Sequence, residues 1–266
     1  MGRDEEMNII VCIKQVPETT EVRINPETNT LMREGVKSII NPFDMYAIEE
    51  ALRLKERFGG KISVITMGPP QADSALREAI SMGADEGYLV CDRAFAGSDT
   101  WATSYTLAGA IKKLGQFDLI ICGKQASDGD TAQVGPGIST HLNIPQVTYV
   151  KKIEETTDKL MKVERMLEEG FEIIETPLPA LLTVVKEINE PRIPSLRGLM
   201  RAKSAKITTL TQKELGLDPQ QIGLCGSPTQ VVKIFTPLPR VGGQILTGEI
   251  PDIAKQLVEL IKDEVN

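Results

Sequence analysis

The sequence predicts an α/β fold built on a doubly wound, mostly parallel sheet. Short, nearly continuous apolar runs recur along the chain, and amphipathic segments that end in glycine separate them. Runs of this kind are typical of strands buried on both faces, as in parallel sheets covered by helices. We therefore expect strands at 8–13, 62–67, 87–91, 118–122 and 146–150.

The first helix has clear signals at both ends. The stretch NPFD places Asn41 at the N-cap, Pro42 at the first helical position and Asp44 in the first turn. Gly59 ends the helix. Further helices are expected at about 71–82, at about 98–114 and within 131–142.

The start of the fourth helix has two interpretations. Asp130 and Gln133 match a capping box, which would start the helix early. A later start would place Pro136 at the first helical position and would leave more backbone N–H groups free for a ligand. The residues alone leave both interpretations open.

After residue 150 the chain changes character. The run 159–185 predicts a charged β-hairpin and then a buried strand that returns to the sheet. The stretch 189–206 is basic and interrupted by proline, so we expect an exposed loop with a short helix. The last segment predicts an amphipathic helix behind a Pro-rich linker, and another subunit is expected to cover its apolar stripe. That stripe consists of Ile253, Leu257, Leu260 and Ile261.

Composition argues against several function classes. The formal net charge is -7 over 266 residues, whereas a nucleic-acid surface needs clustered Lys and Arg. No apolar run reaches the roughly 20 residues of a membrane helix, and the acidic N-terminus does not match a secretory signal. His141 is the only histidine and the four cysteines are scattered, so neither a metal site nor a histidine-based triad is expected. Buried, reduced thiols indicate a cytoplasmic protein.

The glycine-rich stretch from Gly123 to Gly137 follows the strand at 118–122. In doubly wound sheets such loops bind ligands, and free N–H groups at a helix N-terminus attract phosphate. The stretch matches neither a Walker P-loop nor the dinucleotide G-x-G-x-x-G fingerprint. Its pattern alone leaves a nucleotide site and a ligand-free turn equally open.

Six stretches are distinctive in combination: CIKQV, NPFDMYAIEEALRLKE, MGPPQ, MGADEGYLV, LIICGKQASDGDTAQVGP and NEPRIPSLRGLMRAK. Together, over 7–266, they resemble the beta subunit of electron-transferring flavoproteins. The resemblance implies an adenine nucleotide alpha-hydrolase-like fold and a heterodimer with an alpha subunit. It implies an α/β nucleotide-binding domain at 7–230, and a linker and helix at 231–266 that pack on the alpha subunit.

The resemblance also implies where a nucleotide lies, along two segments and two further residues at the carboxyl ends of the strands. No side chain is expected to act as an acid, base or nucleophile, because a bound flavin would carry the redox chemistry. The implied contacts are Cys12, Asn41, Pro42, Phe43, Asp44, Met67, Lys124, Gln125, Ala126, Ser127, Asp128, Gly129, Asp130, Thr131, Ala132, Gln133, Val134 and Gly135.

Residues 128–136, DGDTAQVGP, resemble electron-bifurcating members, in which the site holds a second FAD that accepts hydride from NADH. One electron then passes to ferredoxin or flavodoxin, and the other passes through the alpha-subunit FAD to a partner flavin dehydrogenase of the lactate or acyl-CoA type. Small residues at 129 and 132 would leave room for a dinucleotide. The alternatives are a single-flavin carrier with structural AMP here and, less favoured, a free-standing adenine-nucleotide sensor.

The stretch 189–206 resembles the family's recognition loop, which docks onto the partner dehydrogenase. Leu196 aligns with the apolar anchor of that loop, and Arg192, Arg197 and Arg201 are expected to steer an acidic partner. Pro194 and the pair Arg197–Gly198 depart from the pattern of general acyl-CoA dehydrogenase partners. This departure keeps a lactate-type partner open.

Overall fold

A nine-stranded sheet forms the centre of the computed structural model, which describes residues 6–18, 37–232 and 242–265. The strands are β1 (Met7–Cys12), β2 (Gln15–Pro17), β3 (Ser38–Ile40), β4 (Gly60–Met67), β5 (Glu86–Val90), β6 (Leu119–Gly123), β7 (Gln146–Thr156), β8 (Leu160–Leu167), β9 (Gly170–Pro177), β10 (Ala180–Val184) and β11 (Ile207–Leu210). The helices are α1 (Pro42–Phe58), α2 (Asp73–Met82), α3 (Thr100–Leu114), α4 (Val134–Leu142), α5 (Leu196–Ser204), α6 (Gln212–Leu215) and α7 (Ile250–Val265).

The strand order in the sheet is β11-β5-β4-β1-β6-β10-β7-β8-β9, and β2 pairs with β3 in a separate antiparallel ribbon. Every pairing from β11 to β7 is parallel, and β8 and β9 extend the sheet as an antiparallel hairpin. The predicted doubly wound, mostly parallel α/β class is confirmed.

The order in which the chain adds strands to the sheet reverses between β1 and β6. It first adds β4 and β5 on one side of β1, and then places β6 on the other side. Cys12 at the end of β1 is level with Ile65 on β4 and with Cys122 on β6. Loops that leave neighbouring strands on either side of such a reversal diverge and open a crevice, which is where ligands bind in these folds.

Helices cover both faces of the sheet. On one face Ile48 and Leu52 of α1 and Leu76 of α2 pack on alternate residues of the central strands. On the other face Ile111 of α3 and Ile138 of α4 pack on the residues between them. Burial on both faces explains why the strands read as continuous apolar runs.

The structure contradicts both interpretations of the α4 start. The helix begins at Val134, with Gln133 at the N-cap and no side-chain cap. The Asp130 carboxylate accepts a hydrogen bond from Gln125 Nε2 and so does not cap α4. Pro136 is the third helical residue, where its missing N–H removes no helical hydrogen bond.

The hairpin prediction is confirmed by β8 and β9, and the returning strand is β10, whose five residues are all buried between β6 and β7. The sequence reasoning missed β11, a four-residue strand at the edge of the sheet. It also missed the short ribbon of β2 and β3. Helices α2 and α3 begin at Asp73 and Thr100, two residues later than expected.

Helix α7 carries the apolar stripe expected at the C-terminal end. Leu257, Leu260 and Ile261 are each about half exposed, and Ile250 is 82% exposed. Most of the predicted linker, residues 233–241, lies outside the described residues. The stripe is therefore largely uncovered by the described part of this chain.

Candidate functional site

Asn41 joins the start of α1 to the loop after β6, residues 124–133, which we call the β6 loop. The side chain is 1% exposed. Its Nδ2 donates to Asp44 Oδ1 at 3.0 Å and to the Gln125 carbonyl at 2.8 Å, and its Oδ1 accepts from the Ser127 N–H at 3.0 Å. Asn41 occupies the predicted N-cap position but makes no cap hydrogen bond, because its side chain is used to hold the loop.

Asp44 ties the same region to the ends of two strands. Its carboxylate is 5% exposed and accepts from the Lys14 N–H at 2.7 Å, just beyond β1, and from the Gly123 N–H at the end of β6. Burial raises the pKa of Asp44 to about 7, although hydrogen bonds from Asn41, Lys14 and Gly123 act in the opposite direction. This carboxyl group is a buried structural element behind the β6 loop.

Gly123 allows the end of β6 to approach α1 closely. A Cβ at this position would collide with the Asp44 side chain and with the backbone of Phe43. A larger residue would therefore separate β6 from the start of α1 and break the hydrogen bonds to Asp44.

Lys14 closes the other side of the β6 loop. Its Nζ lies 2.6 Å from Asp128 Oδ1, and both side chains are partly exposed. Lys14 was not among the expected site residues, although it belongs to the CIKQV stretch that carried the resemblance. The β6 loop contains two aspartates that would repel an anionic ligand, and this ion pair neutralises the charge of Asp128.

The backbone of the β6 loop is strained at two residues. Asp130 has φ 52° and Ala132 has φ 54°, in the left-handed region that non-glycine residues rarely adopt. Successive N–H groups in such conformations form concave anion-binding surfaces. Gly129 is not in this region, and a Cβ built on it would meet no atom within 4 Å. The N–H groups of Gly129 and Asp130 both donate to the Ala126 carbonyl, and the space beside Gly129 is open.

The N-terminus of α4 borders the β6 loop and has no side-chain cap. Its first N–H groups, on Val134 and Gly135, have no helical partner by geometry. Gln133 is held from the side, since Thr100 Oγ1 donates to Gln133 Oε1 at 3.1 Å. Uncapped donors, the helix dipole and the adjacent Lys124 together suit a phosphate group, so the residues present fit a nucleotide.

The structure places the remaining predicted contacts at the same edge of the sheet. Pro42 and Phe43 form the first turn of α1, Met67 ends β4, and Ala126 and Thr131 lie in the β6 loop.

Cys12 ends β1 and is 8% exposed, so its thiol packs mainly within the protein. A hydrogen bond with Cys12 and burial raise the pKa of the Cys122 thiol well above its ordinary value. The Cys122 thiol therefore stays protonated at neutral pH. Both cysteines are buried and behave as small core residues.

The recognition segment, residues 189–206, is fixed to the body of the protein by its arginines. Arg192 Nε donates to Glu49 Oε2 at 2.8 Å, and Arg192 Nη1 donates to Glu56 Oε1 at 2.5 Å. Burial acts to raise the pKa of Glu49, but hydrogen bonds from Arg192 and Arg53 hold it below its ordinary value. The guanidinium group of Arg192 is thus occupied by carboxylates of α1.

The guanidinium group of Arg201 is hydrogen-bonded within the chain as well, to backbone carbonyls. Its Nη2 donates to the Ile80 and Ala84 carbonyls, each at 2.7 Å, at the C-terminal end of α2. In return, Arg77 of α2 donates to the Ala202 carbonyl of α5 at 2.7 Å. Arg192 and Arg201 thus position the segment, because their donors are used within the chain. Their expected part in steering an acidic partner stays a prediction.

The apolar residues of the recognition segment face outward. Leu196 is 83% exposed, Ile193 is 91% exposed and Met200 is 73% exposed. Arg197 is exposed in the first turn of α5 and has no ion-pair partner among the described residues. The segment presents a small apolar surface with the exposed cation Arg197 beside it.

Comparisons with known proteins fit this geometry. The family model described as "Electron transfer flavoprotein domain" matches residues 28–215. The chain belongs to the electron transfer flavoprotein family, as a beta subunit. It is 57% identical to the electron transfer flavoprotein subunit beta of Thermoanaerobacterium thermosaccharolyticum over 95% of this chain and 97% of the relative.

Two further relatives carry other names. The chain is 51% identical to the caffeyl-CoA reductase-Etf complex subunit CarD of Acetobacterium woodii, over 97% of this chain and 99% of the relative. It is 50% identical to the protein FixA of Azotobacter vinelandii, over 88% of this chain and 85% of the relative. An electron transfer flavoprotein beta subunit pairs with an alpha subunit, so the site described above is one part of a heterodimer.

The described part of this flavoprotein subunit has neither a membrane-spanning helix nor a metal-binding cluster. No described helix is long and apolar enough to cross a membrane. Within the same residues, no group of three or more His, Cys, Asp or Glu side chains is arranged to hold a metal ion.

Proposed function

We propose that this chain is the beta subunit of an electron-bifurcating flavoprotein, and that the β6 loop and the N-terminus of α4 hold an FAD. The observation that supports this proposal is the open space beside Gly129, where an added Cβ would meet no atom within 4 Å. A dinucleotide needs such room, and small residues at 129 and 132 let the backbone come close to its pyrophosphate.

The residues of the site would bind and orient the dinucleotide. Lys124 and the N–H groups of Val134 and Gly135 would hold its phosphates, and Asn41 would keep the β6 loop in the shape that presents them. Bound FAD would supply hydride acceptance from NADH and one-electron transfer, which are reactions of the flavin itself. Asp44 is 5% exposed behind the loop and would act on its shape alone.

The proposed electron path needs three kinds of partner, in the cytoplasm. The alpha subunit would cover the apolar stripe of α7, and ferredoxin or flavodoxin would take the low-potential electron. A partner flavin dehydrogenase of the lactate or acyl-CoA type would dock at Leu196. The name of the relative CarD refers to a complex with caffeyl-CoA reductase, which supports the acyl-CoA type.

The second candidate is a single-flavin carrier in which the site holds AMP. The acidic side chains Asp128 and Asp130 in the β6 loop favour it, because carboxylates next to a pyrophosphate would repel its second negative charge. A free-standing nucleotide sensor has less support, since it would have no use for the exposed apolar residues of α7 and of the recognition segment.

Cofactor content tests the proposal directly. The chain would be co-expressed with its alpha subunit, purified without oxygen and denatured, and the released FAD and AMP would be counted per heterodimer. Two FAD and no AMP are expected. One FAD and one AMP would contradict the bifurcating function and support the single-flavin carrier.

A further inference from the structure

Tyr149 has a backbone conformation that is unusual for an aromatic residue in a strand. Its φ is 59°, in the left-handed region. The pairing of β7 with β10 explains the position: Leu182 pairs with Val147 and Val184 pairs with Val150, so β7 has one residue more than β10 between these pairs. Tyr149 is therefore part of a β-bulge, a feature that redirects side chains and is frequent next to functional sites.

A buried hydroxyl group holds the bulge in place. The Tyr149 N–H donates to Thr183 Oγ1 at 3.2 Å, and Thr183 is 2% exposed. The methyl group of the same threonine faces α4, where a Cβ on Gly135 would lie 2.8 Å from Thr183 Cγ2. The bulge is thus linked by one side chain to the first turn of α4.

The ring of Tyr149 contacts the first residue of the β6 loop. Lys124 Nζ lies 5.1 Å from the centre of the ring, within the range of a cation–π interaction. The backbone of Lys124 is fixed as well, since its N–H donates to the Val184 carbonyl at 2.9 Å. Among the described residues, no carboxylate lies within ion-pair distance of Lys124.

We propose that Tyr149 is a positioning residue, which the bulge directs against Lys124 so that the ammonium group is held ready for a phosphate of the bound nucleotide. This inference rests on the proposed nucleotide site, but it applies to FAD and to AMP alike. A lysine side chain is long and flexible, and ordering it costs conformational entropy when a ligand binds. An aromatic ring orders the ammonium group without neutralising it, whereas a carboxylate partner would compete with the phosphate.

Replacement of Tyr149 by glycine separates this role from a role in folding. Glycine adopts a positive φ without strain, so Tyr149→Gly removes the ring while the bulge is kept. Tyr149→Phe keeps a ring of the same shape, and we expect this variant to bind the nucleotide as tightly as the wild type does. Phe171→Leu is a matched control, because the ring of Phe171 on β9 makes a similar contact with a lysine. Lys151 Nζ of β7 lies 4.5 Å from the centre of that ring.

The test uses the heterodimer after its nucleotides have been removed, titrated with FAD and with AMP at low and at high salt. We expect Tyr149→Gly to weaken binding of the resident nucleotide about fivefold at low salt. The loss should become smaller at high salt, because screening weakens the contact between Lys124 and the phosphate. Phe171→Leu and Tyr149→Phe should match the wild type.

A double-mutant cycle with Lys124→Met decides the assignment. If Tyr149 acts through Lys124, then Tyr149→Gly has little further effect once the ammonium group is gone. Equal losses in both backgrounds, or a loss that does not depend on salt, would overturn the proposal and leave Tyr149 a purely structural role. AMP in place of FAD in the wild-type heterodimer would contradict only the bifurcating function, because the same cycle can be measured with AMP.

Discussion

Asn41 and Asp44 form a buried hydrogen-bonded pair behind the β6 loop, with 3.0 Å between Asn41 Nδ2 and Asp44 Oδ1. Through Asn41 the pair holds the Gln125 carbonyl and the Ser127 N–H, and through Asp44 it holds the ends of β1 and β6. Three segments that are far apart in sequence therefore share one polar centre at the carboxyl edge of the sheet.

We expect Asn41→Ala to loosen the β6 loop. The substitution leaves the Ser127 N–H and the Gln125 carbonyl without their partner and removes a donor from Asp44. Lost buried hydrogen bonds of this kind cost about 1–3 kcal/mol of stability. Urea unfolding and nucleotide titration would show both a lower free energy of unfolding and weaker nucleotide binding. Wild-type nucleotide binding in a destabilised variant would contradict the role of Asn41 in shaping the loop.

Asp44 makes the stability of the protein depend on pH. Its pKa is raised from 3.8 to about 7 in the folded state, so the native protein binds this proton more tightly than the unfolded chain does. The contribution of Asp44 is then fully present below the unfolded pKa of 3.8 and is lost as the pH rises through about 7. Relative to Asp44→Asn, the wild type should gain stability as the pH falls from about 8 to about 5. Denaturant unfolding of both proteins across this range checks the sign, and a difference that stays constant would refute it.

The fold was predictable because its signals are local. Buried strands such as β6 are continuous apolar runs. Asn41 and Pro42 lie directly at the start of α1, and Gly59 lies directly at its end. The edge strand β11 was missed because it is only four residues long and two of its residues are exposed threonines. A short, half-exposed strand has no periodicity that distinguishes it from a loop.

The site was predictable only at the level of segments. The roles of Arg192 and Arg201 were expected from their positive charge, but their partners lie more than a hundred residues away in sequence. No local pattern reveals a contact of that kind. The capping-box prediction for the start of α4 was wrong for a related reason. Asp130 has the right spacing for a cap, but its carboxylate accepts a hydrogen bond from Gln125.

Two arginines of the recognition segment should respond differently to the same substitution. Arg192→Gln leaves Glu49, whose side chain is 4% exposed, with Arg53 as its one ion-pair partner among the described residues, and should cost about 1–3 kcal/mol of stability. Arg197→Gln removes an exposed charge and should change stability by less than about 0.5 kcal/mol. Arg197→Gln should instead slow salt-dependent association with the partner dehydrogenase. The matched pair is measured by thermal unfolding and by association kinetics, and equal stability losses would contradict the assignment.

Helix α7 should be required for the heterodimer. Leu257→Asp places a charge in the middle of the apolar stripe and should weaken association with the alpha subunit by at least about tenfold. Lys255→Asp changes the charge on the opposite side of the helix and serves as the control. Analytical ultracentrifugation of the co-purified subunits compares the two. Dissociation in both variants, or in neither, would mean that the stripe is not the surface that the alpha subunit covers.

Gly129 should decide which nucleotide the site accepts. A Cβ at this position would meet no atom within 4 Å, and Gly129 does not have a left-handed backbone, so we expect Gly129→Leu to fold as well as the wild type. The new side chain would occupy the space that we assign to the larger part of a dinucleotide. We therefore expect the variant to lose FAD while AMP binding is kept. Thermal unfolding establishes that the fold is intact, and titration with each nucleotide gives the selectivity. Equal loss of FAD and AMP would show that the space beside Gly129 serves a part common to both, and an unchanged affinity for FAD would place the dinucleotide elsewhere.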